Sequence, residues 1–420
     1  MLDQRSLSRG STQPQGELEV LVPFCLLLLV LTAFPASVLA QSEVSGELAG
    51  VVFADEDGDG RRAPGEAGIA GVIVCSRSGC AATDDDGTYE VQVEPGYRVV
   101  WVRQPDGYRA VRGFWQRVPA DPFEWLRNFP LEESTPLPVR AFSFIHASDT
   151  HLDEESLPRF RRLREITEER GVDFVLITGD LIRDALRVPE ETARERFELF
   201  RKEKNDFPVP VWVVPGNHEN FGIERERSGV SENNPLYGKA MYRRFLGPTY
   251  YSFDFGGVHF VALDTVDIED QWYYGHVDAT QMSWLDEDLA TVATDTPVVT
   301  FNHIPLFSAA LHGNFYPDGR SVIEIEGKEQ YRHTVSNYAD ILERFVGRNY
   351  PLALGGHGHA REEILLGDRR FTTRFHQTSA VVGDAGEGEG MEYVSGVTLY
   401  NVDDGAIAGW EFIPLDSNGQ

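Results

Sequence analysis

Phe142-Ser143-Phe144-Ile145-His146-Ala147, followed at once by Ser148-Asp149-Thr150-His151, sets an apolar run directly against an acid and an imidazole two residues apart. Aromatic and branched residues in so short a run predict a strand, and the polar cluster at its end predicts a loop that carries chemistry. The same pattern returns downstream. Phe174-Val175-Leu176-Ile177 reads as a buried strand and leads to Gly179-Asp180. Residues 209–214 lead to Gly216-Asn217-His218-Glu219, residues 297–301 to Asn302-His303, and Leu352-Ala353-Leu354 to Gly355-Gly356-His357-Gly358-His359. Residues 157–170 and 190–204 space their apolar positions as amphipathic helices, and residues 258–263 read as a further strand. Strands and helices in alternation imply an α/β layered core, and such sheets place catalytic loops past the C-terminal ends of their strands. Residues 371–414 are again strand-rich and predict completion of a second sheet.

Upstream the texture differs. Between residues 44 and 139 the chain reads as short strands, among them Gly50-Val51-Val52-Phe53 and Tyr97-Arg98-Val99-Val100-Trp101-Val102, separated by turns rich in Asp, Gly and Pro. That is the pattern of a small all-β sandwich. Glu132-Glu133-Ser134-Thr135-Pro136-Leu137-Pro138 reads as a linker, since two prolines suit neither a helix nor a central strand. At the start, residues 20–40 are apolar, broken by Pro23 and Pro35, and end in Val38-Leu39-Ala40. Small residues three and one before Gln41 fit a signal-peptidase site, while an uncleaved run of this length would act as a membrane anchor. The expected organisation is a signal peptide over 1–40, a β-sandwich module over 41–136 that is dispensable for the chemistry, and a catalytic domain over 137–420. Cys25 falls in the leader, so Cys75 and Cys80 are left as a disulfide in an oxidising compartment or as two buried thiols.

The 420 residues carry 38 Lys+Arg against 67 Asp+Glu, a formal charge of −29. No basic patch for nucleic acid is evident, and overall attraction to nucleic acid or anionic lipid is disfavoured, although a locally positive metal cleft still takes an anionic substrate. Within the β-module, Asp55, Asp57, Asp59 and Glu66 stand at positions one, three, five and twelve of a loop with Gly60 at six. This matches the ligand spacing of a calcium loop. Its flanks read as strands, and the stretch resembles the β-sandwich modules of bacterial surface adhesins, in which such a loop holds a structural calcium. The alternative is an acidic hairpin that binds nothing.

Two divalent metals held side by side need a bridging carboxylate, imidazole and carboxylate ligands at either end, and open positions for water and a phosphoryl group. Asp149 and His151, two apart past a strand, can point to one site; Asp180 can bridge; Asn217 offers a carbonyl oxygen; His303, His357 and His359 complete the inventory. No cysteine lies among them, which favours hydrolytic over thiolate-rich structural metal binding.

In this order, Asp-x-His, Gly-Asp, Gly-Asn-His-Glu, His and Gly-His-x-His resemble the calcineurin-like metallophosphoesterase family over roughly residues 140–365. The resemblance implies a layered β-sandwich metallophosphoesterase core flanked by helices, preceded here by the all-β module as in an exported bacterial branch. It implies that Asp149, His151, Asp180 and His359 hold a first metal and Asp180, Asn217, His303 and His357 a second, with Mn, Fe or Zn as the ion. It leaves His218 free to act on the leaving group, with Glu219, where the family often has Asp, orienting it. Arg183 stands where a purple acid phosphatase has its metal-bound tyrosine, and Asp184 is one residue late for an acid found in some cyclic-nucleotide enzymes. The chemistry implied is attack of a metal-activated water on the phosphorus of a phosphate mono- or diester, in line with the leaving group.

Of the remaining histidines, His146, His259, His333 and His376 read as satisfied core or surface residues. His276 and His312 are candidate substrate contacts, since they lie near Trp272-Tyr273-Tyr274 and Asn314-Phe315-Tyr316. The expected protein is an exported hydrolase, periplasmic, secreted or on the cell surface. The alternatives are a surface binding protein with a vestigial phosphoesterase domain, and an extracellular nuclease or nucleotidase.

Overall fold

The computed structural model describes residues 46–94, 96–119, 121, 124–134, 140–309, 322–367, 369, 372–383 and 394–416. The expected leader, most of the linker and His312 lie outside these residues. Among the described residues no helix is long and apolar enough to cross a membrane.

The catalytic part is built on two sheets. One has five strands in the order Val211–Val214, Phe174–Thr178, Ala141–Ala147, Gly396–Asp403, Ala406–Pro414, the first three mutually parallel. The other has six, in the order Tyr251–Phe255, Val258–Leu263, Val298–Asn302, Leu352–Gly355, Thr372–Gln377, Glu362–Gly367, with four parallel strands at its centre. The strand-rich end of the chain therefore serves both sheets: Thr372–Gln377 joins the second and the hairpin 396–414 completes the first.

Period-two alternation sorts the side chains between layers. Phe144, Phe174 and Leu176 enter the core between the sheets with Phe253, Phe260 and Tyr400, whereas Ile145, Val175 and Ile177 face the outer helices. Phe144 stacks on Phe174 at 5.2 Å and on Tyr400 at 5.0 Å. Helix Leu157–Arg170 buries Phe160, Leu163 and Ile166 on that outer face and stops at Gly171, whose φ of 60° suits a residue without Cβ. Helix Ala279–Ala290 covers the other sheet through Trp284, Leu285 and Leu289.

The N-terminal module is a sandwich of two four-stranded sheets, and its Cys75 and Cys80, register partners on adjacent strands, form a disulfide. Its strand Val99–Val102 is buried at every position. The reason is that it belongs to two cores at once: Val100 and Val102 pack inside the module, while Val99 and Trp101 pack with the catalytic sheets. Trp101 meets Tyr250 edge-on at 5.9 Å, and Phe114 lies 4.8 Å from Trp212 and 4.6 Å from Tyr251. Both carboxylate oxygens of Asp106 accept backbone amides, from Gly256 and Gly257.

Candidate metal centre

All the polar clusters lie just past strand ends, and the backbone there is unusual. Among the described residues eight non-glycine positions have positive φ, and five of them are Asp149, His151, Asp180, His357 and His359. A left-handed backbone costs an ordinary residue on the order of 1 kcal/mol or more, so strain concentrated on one site is a functional signal. The motif glycines have a steric reason too. A Cβ on Gly216 would lie 2.2 Å from Asp180 Oδ1, and one on Gly356 would lie 1.8 Å from Ser148 Oγ and 2.9 Å from Asp149 Oδ2.

These loops bring the side chains into two overlapping sets. Asp149, His151 and His359 converge in one and Asp180, His303 and His357 in the other, with the donor atoms of each set within 4.8 Å of one another. Asp180 stands between them: Oδ1 is 3.3 Å from His303 Nε2, and Oδ2 is 3.6 Å from His151 Nε2. Asn217 Oδ1 lies 3.1 Å from His303 Nε2, and His359 Nε2 lies 3.3 Å from Asp149 Oδ1. Backbone amides fix the two carboxylates, since His357 donates to Asp149 Oδ2 at 3.0 Å and His218 to Asp180 Oδ1 at 2.9 Å.

The donor set fits metal ions. His303 Nδ1–H donates to the Thr178 carbonyl at 2.7 Å, so in the neutral ring Nε2 bears a lone pair. That lone pair faces the Asp180 and Asn217 oxygens and His357 Nδ1, the last at 3.2 Å. Acceptors aimed at one another call for a proton or a metal ion between them. Burial alone would push the His303 imidazole down, yet Asp180 and Asp149 outweigh it and raise the group to about 9, another mark of a place that wants positive charge. Burial, reinforced by His218, pushes His151 down to about 3, which keeps it in the neutral form that ligates. Against the cost of burial, His303 and His218 hold Asp180 well below the ordinary carboxylate range.

His218 sits at the rim of this cluster. Its Nδ1–H donates to the Arg183 carbonyl at 2.8 Å, and Nε2 lies 3.9 Å from Asp180 Oδ2. It also forms a third candidate set with His151 and Asp180. Glu219 is fully buried and lies elsewhere: Oε1 accepts the amides of Leu181 and Ile182 at 2.8 and 3.1 Å, and Oε2 accepts that of Gly216 at 2.6 Å. It ties the two ligand loops together, and the group that holds the His218 ring is the Arg183 carbonyl. Burial and the Asp180 charge push Glu219 up to about 8, a repulsion that a cation held beside Asp180 would relieve. The Arg183 side chain turns toward Asp153, at 3.8 Å, while Asp184 Oδ1 accepts the Leu186 amide at 2.9 Å.

The other candidate residues are placed as follows. His276 Nδ1 lies 3.0 Å from Asp267 Oδ2 and its ring 5.7 Å from that of Tyr274, and it belongs to none of the ligand sets. Asp55, Asp57 and Glu66 converge within the module and Asp59 stays apart, accepting the Arg61 amide. The buried carboxylates of that loop also hold its backbone, Asp55 through the amides of Gly58 and Gly60 and Glu66 through those of Glu56 and Ala63. Sequence reasoning missed His333, whose Nδ1 is 2.7 Å from His357 Nε2. It missed Arg332 as well, whose guanidinium lies over the ring of Tyr273 at 4.3 Å.

Relatives share this part of the chain. A probable cyclic nucleotide phosphodiesterase of Fibrobacter succinogenes is 24% identical over 200 residues, covering 48% of this chain and 62% of the relative. A 3′,5′-cyclic-nucleotide phosphodiesterase of Nostoc sp. is 25% identical over 184 residues, covering 42% of this chain and 60% of its own. The chain thus spans about three fifths of the length of these curated relatives. A crystal structure of a dimetal phosphatase from Danio rerio superposes with a TM-score of 0.41 at 15% identity, over 66% of this chain and all of that one. The profile of the calcineurin-like phosphoesterase family matches residues 142–361, just over half of the sequence, and the chain belongs to that family.

Proposed function

We propose that the chain is a two-metal hydrolase of phosphate mono- or diesters. Asp149, His151, Asp180 and His359 hold one ion, and Asp180, Asn217, His303 and His357 the other. The observation that carries this reading is the position of Asp180, with one carboxylate oxygen turned to each ligand set. When bound, the metal pair supplies positive charge to the phosphoryl oxygens and lowers the pKa of water. The chain's own residues do the rest. Asp149 and Asp180, fixed by backbone amides, hold the geometry; His218, steadied at Nδ1 by the Arg183 carbonyl, turns Nε2 toward the cleft, and in its imidazolium form donates a proton to the departing oxygen.

The phosphodiesterases among its relatives make a diester the first substrate to try. Bis(4-nitrophenyl) phosphate and 4-nitrophenyl phosphate, each with added Mn²⁺, Zn²⁺ or Fe²⁺, are to be compared for the full chain and for Asp180→Asn. The expected result is hydrolysis of at least one ester that Asp180→Asn and chelation both abolish; wild-type turnover in the variant refutes the reading. The proposal extends to an oxidising compartment, supported by the Cys75–Cys80 disulfide. Mass spectrometry of the native protein that finds both thiols free would count against export.

A further inference from the structure

His357 has two nitrogens with different tasks. Nδ1 faces the ligand cluster, 3.2 Å from His303 Nε2, and Nε2 faces outward to His333 Nδ1 at 2.7 Å. The two rings are near parallel, 26° apart with centroids at 5.0 Å, so the contact runs nitrogen to nitrogen rather than face to face. A neutral imidazole carries one proton, and a ring that ligates through Nδ1 must keep it on Nε2. On that tautomer the His357 Nε2–H donates to His333 Nδ1 at 2.7 Å.

The chain holds His333 there through a built support. Val335, fully buried two residues on, donates its amide to the Pro305 carbonyl at 3.1 Å, and Ser336 donates to the Gly275 carbonyl at 2.8 Å. Ser336 Oγ accepts the Tyr331 amide at 2.7 Å. A Cβ on Gly275 would lie 2.2 Å from the Thr334 carbonyl oxygen, so a glycine there lets the segment close in. Tyr273, on the same hairpin as Gly275, meets His357 edge-on at 6.0 Å and leaves the imidazole little freedom to turn.

We propose that His333 is a positioning residue for the second metal: it accepts the His357 Nε2 proton, fixes the tautomer with its lone pair on Nδ1, and thereby sets the affinity of the ion shared by Asp180, Asn217, His303 and His357. Partners of this kind orient ligand imidazoles and raise their basicity, and losing one costs about 10–100-fold in metal affinity. The inference rests on the two-metal reading above, and its test is chosen to separate the two.

The full chain, His333→Ala and His333→Asn are stripped of metal and titrated with Zn²⁺ buffered by a competing chelator, and bound zinc per chain is measured. The expected wild-type result is two ions. His333→Ala keeps the first with unchanged affinity and binds the second about 10–100-fold more weakly. His333→Asn, whose side-chain oxygen takes the place of Nδ1 as acceptor, recovers most of the loss. Two ions bound by His333→Ala at wild-type affinity, or an Asn variant as weak as Ala, overturns the inference. So does a melting temperature of metal-free His333→Ala depressed as far as that of the zinc-loaded form, since that is a packing effect. A wild-type chain that binds fewer than two ions instead overturns the reading on which the inference rests.

Discussion

Gly216 stands against Asp180 so closely that a Cβ at this position would lie 2.2 Å from the Asp180 Oδ1 atom and equally close to its backbone nitrogen. The carboxylate that faces both ligand sets is thus held from the side by the absence of a side chain on the next loop. Since one of the clashing atoms is main chain, Gly216→Ala is expected to shift the Asp180 loop, lowering stability and displacing the carboxylate. Misplacement of a reacting group by about 1 Å costs roughly 100-fold in rate, and a loss of that order is predicted for hydrolysis of an aryl phosphate ester. A variant with wild-type kcat would show that the close approach has no catalytic consequence.

His218 and Glu219 are neighbours in sequence with separate tasks, and substitution tells them apart. His218→Ala removes the imidazole at the rim of the ligand cluster and is expected to lower kcat by about 10²–10⁴-fold with little change in melting temperature. Glu219→Gln places an amide N–H₂ against one of the three backbone donors and leaves it unpaired, which costs about 1–3 kcal/mol. Its signature is lowered thermal stability with metal affinity reduced for both ions. Equal kinetic losses at equal stability in the two variants would mean that Glu219 acts on the chemistry directly.

A buried histidine outside the ligand cluster predicts how stability depends on pH. His259 lies between two carboxylates, Nδ1 at 2.6 Å from Asp254 Oδ1 and Nε2 at 2.8 Å from Asp288 Oδ2, with Arg103 of the N-terminal module bridging the same pair of acids. Burial disfavours its charged form, but Asp288 and Asp254 prevail and raise it from 6.5 to about 9. Since the folded value is the higher, the stabilisation is complete below about 6.5 and is lost as pH rises through 9, on the order of 3 kcal/mol in all. The melting temperature of the wild type is expected to fall between pH 7 and 10. In His259→Gln it starts lower and that part of the slope disappears; an unchanged slope refutes the assignment.

The seven candidate ligands were legible because each stands within a few residues of the end of an apolar run, and strand ends in a layered α/β core meet at one edge. The glycines beside them were legible as motif letters, although their reason, contact with Asp180 or with Ser148 and Asp149, is tertiary. His333 was not legible. It follows the hairpin Val322–Ile325 and Lys328–Tyr331, with no apolar run and no paired ligand beside it, and tertiary contacts such as the backbone bonds to Pro305 and Gly275 bring it to His357. The role of Glu219 was misread for a similar reason. Adjacency to His218 suggested that it orients that ring, whereas its carboxylate points back to the amides of Leu181, Ile182 and Gly216.

The N-terminal module read as separable because Pro136 and Pro138 mark a boundary in sequence. Packing gives it a further consequence. Removing residues 1–139 would uncover Tyr250, Tyr251 and Trp212 where Trp101 and Phe114 now lie, and would take Arg103 from Asp254 and Asp288. None of the seven candidate ligands of the two overlapping sets belongs to the module, so its contribution is expected to be to stability rather than to the reaction. The truncated chain is expected to be poorly soluble or to melt well below the full one, with any folded fraction keeping its kcat per bound metal pair. Trp101→Ala in the full chain tests the same interface without deletion, and loss of so large a buried side chain is predicted to cost about 3–5 kcal/mol. Full solubility and an unchanged melting temperature for the truncated chain would show that the shared core adds nothing; a soluble, metal-loaded but inactive one would place part of the chemistry in the module.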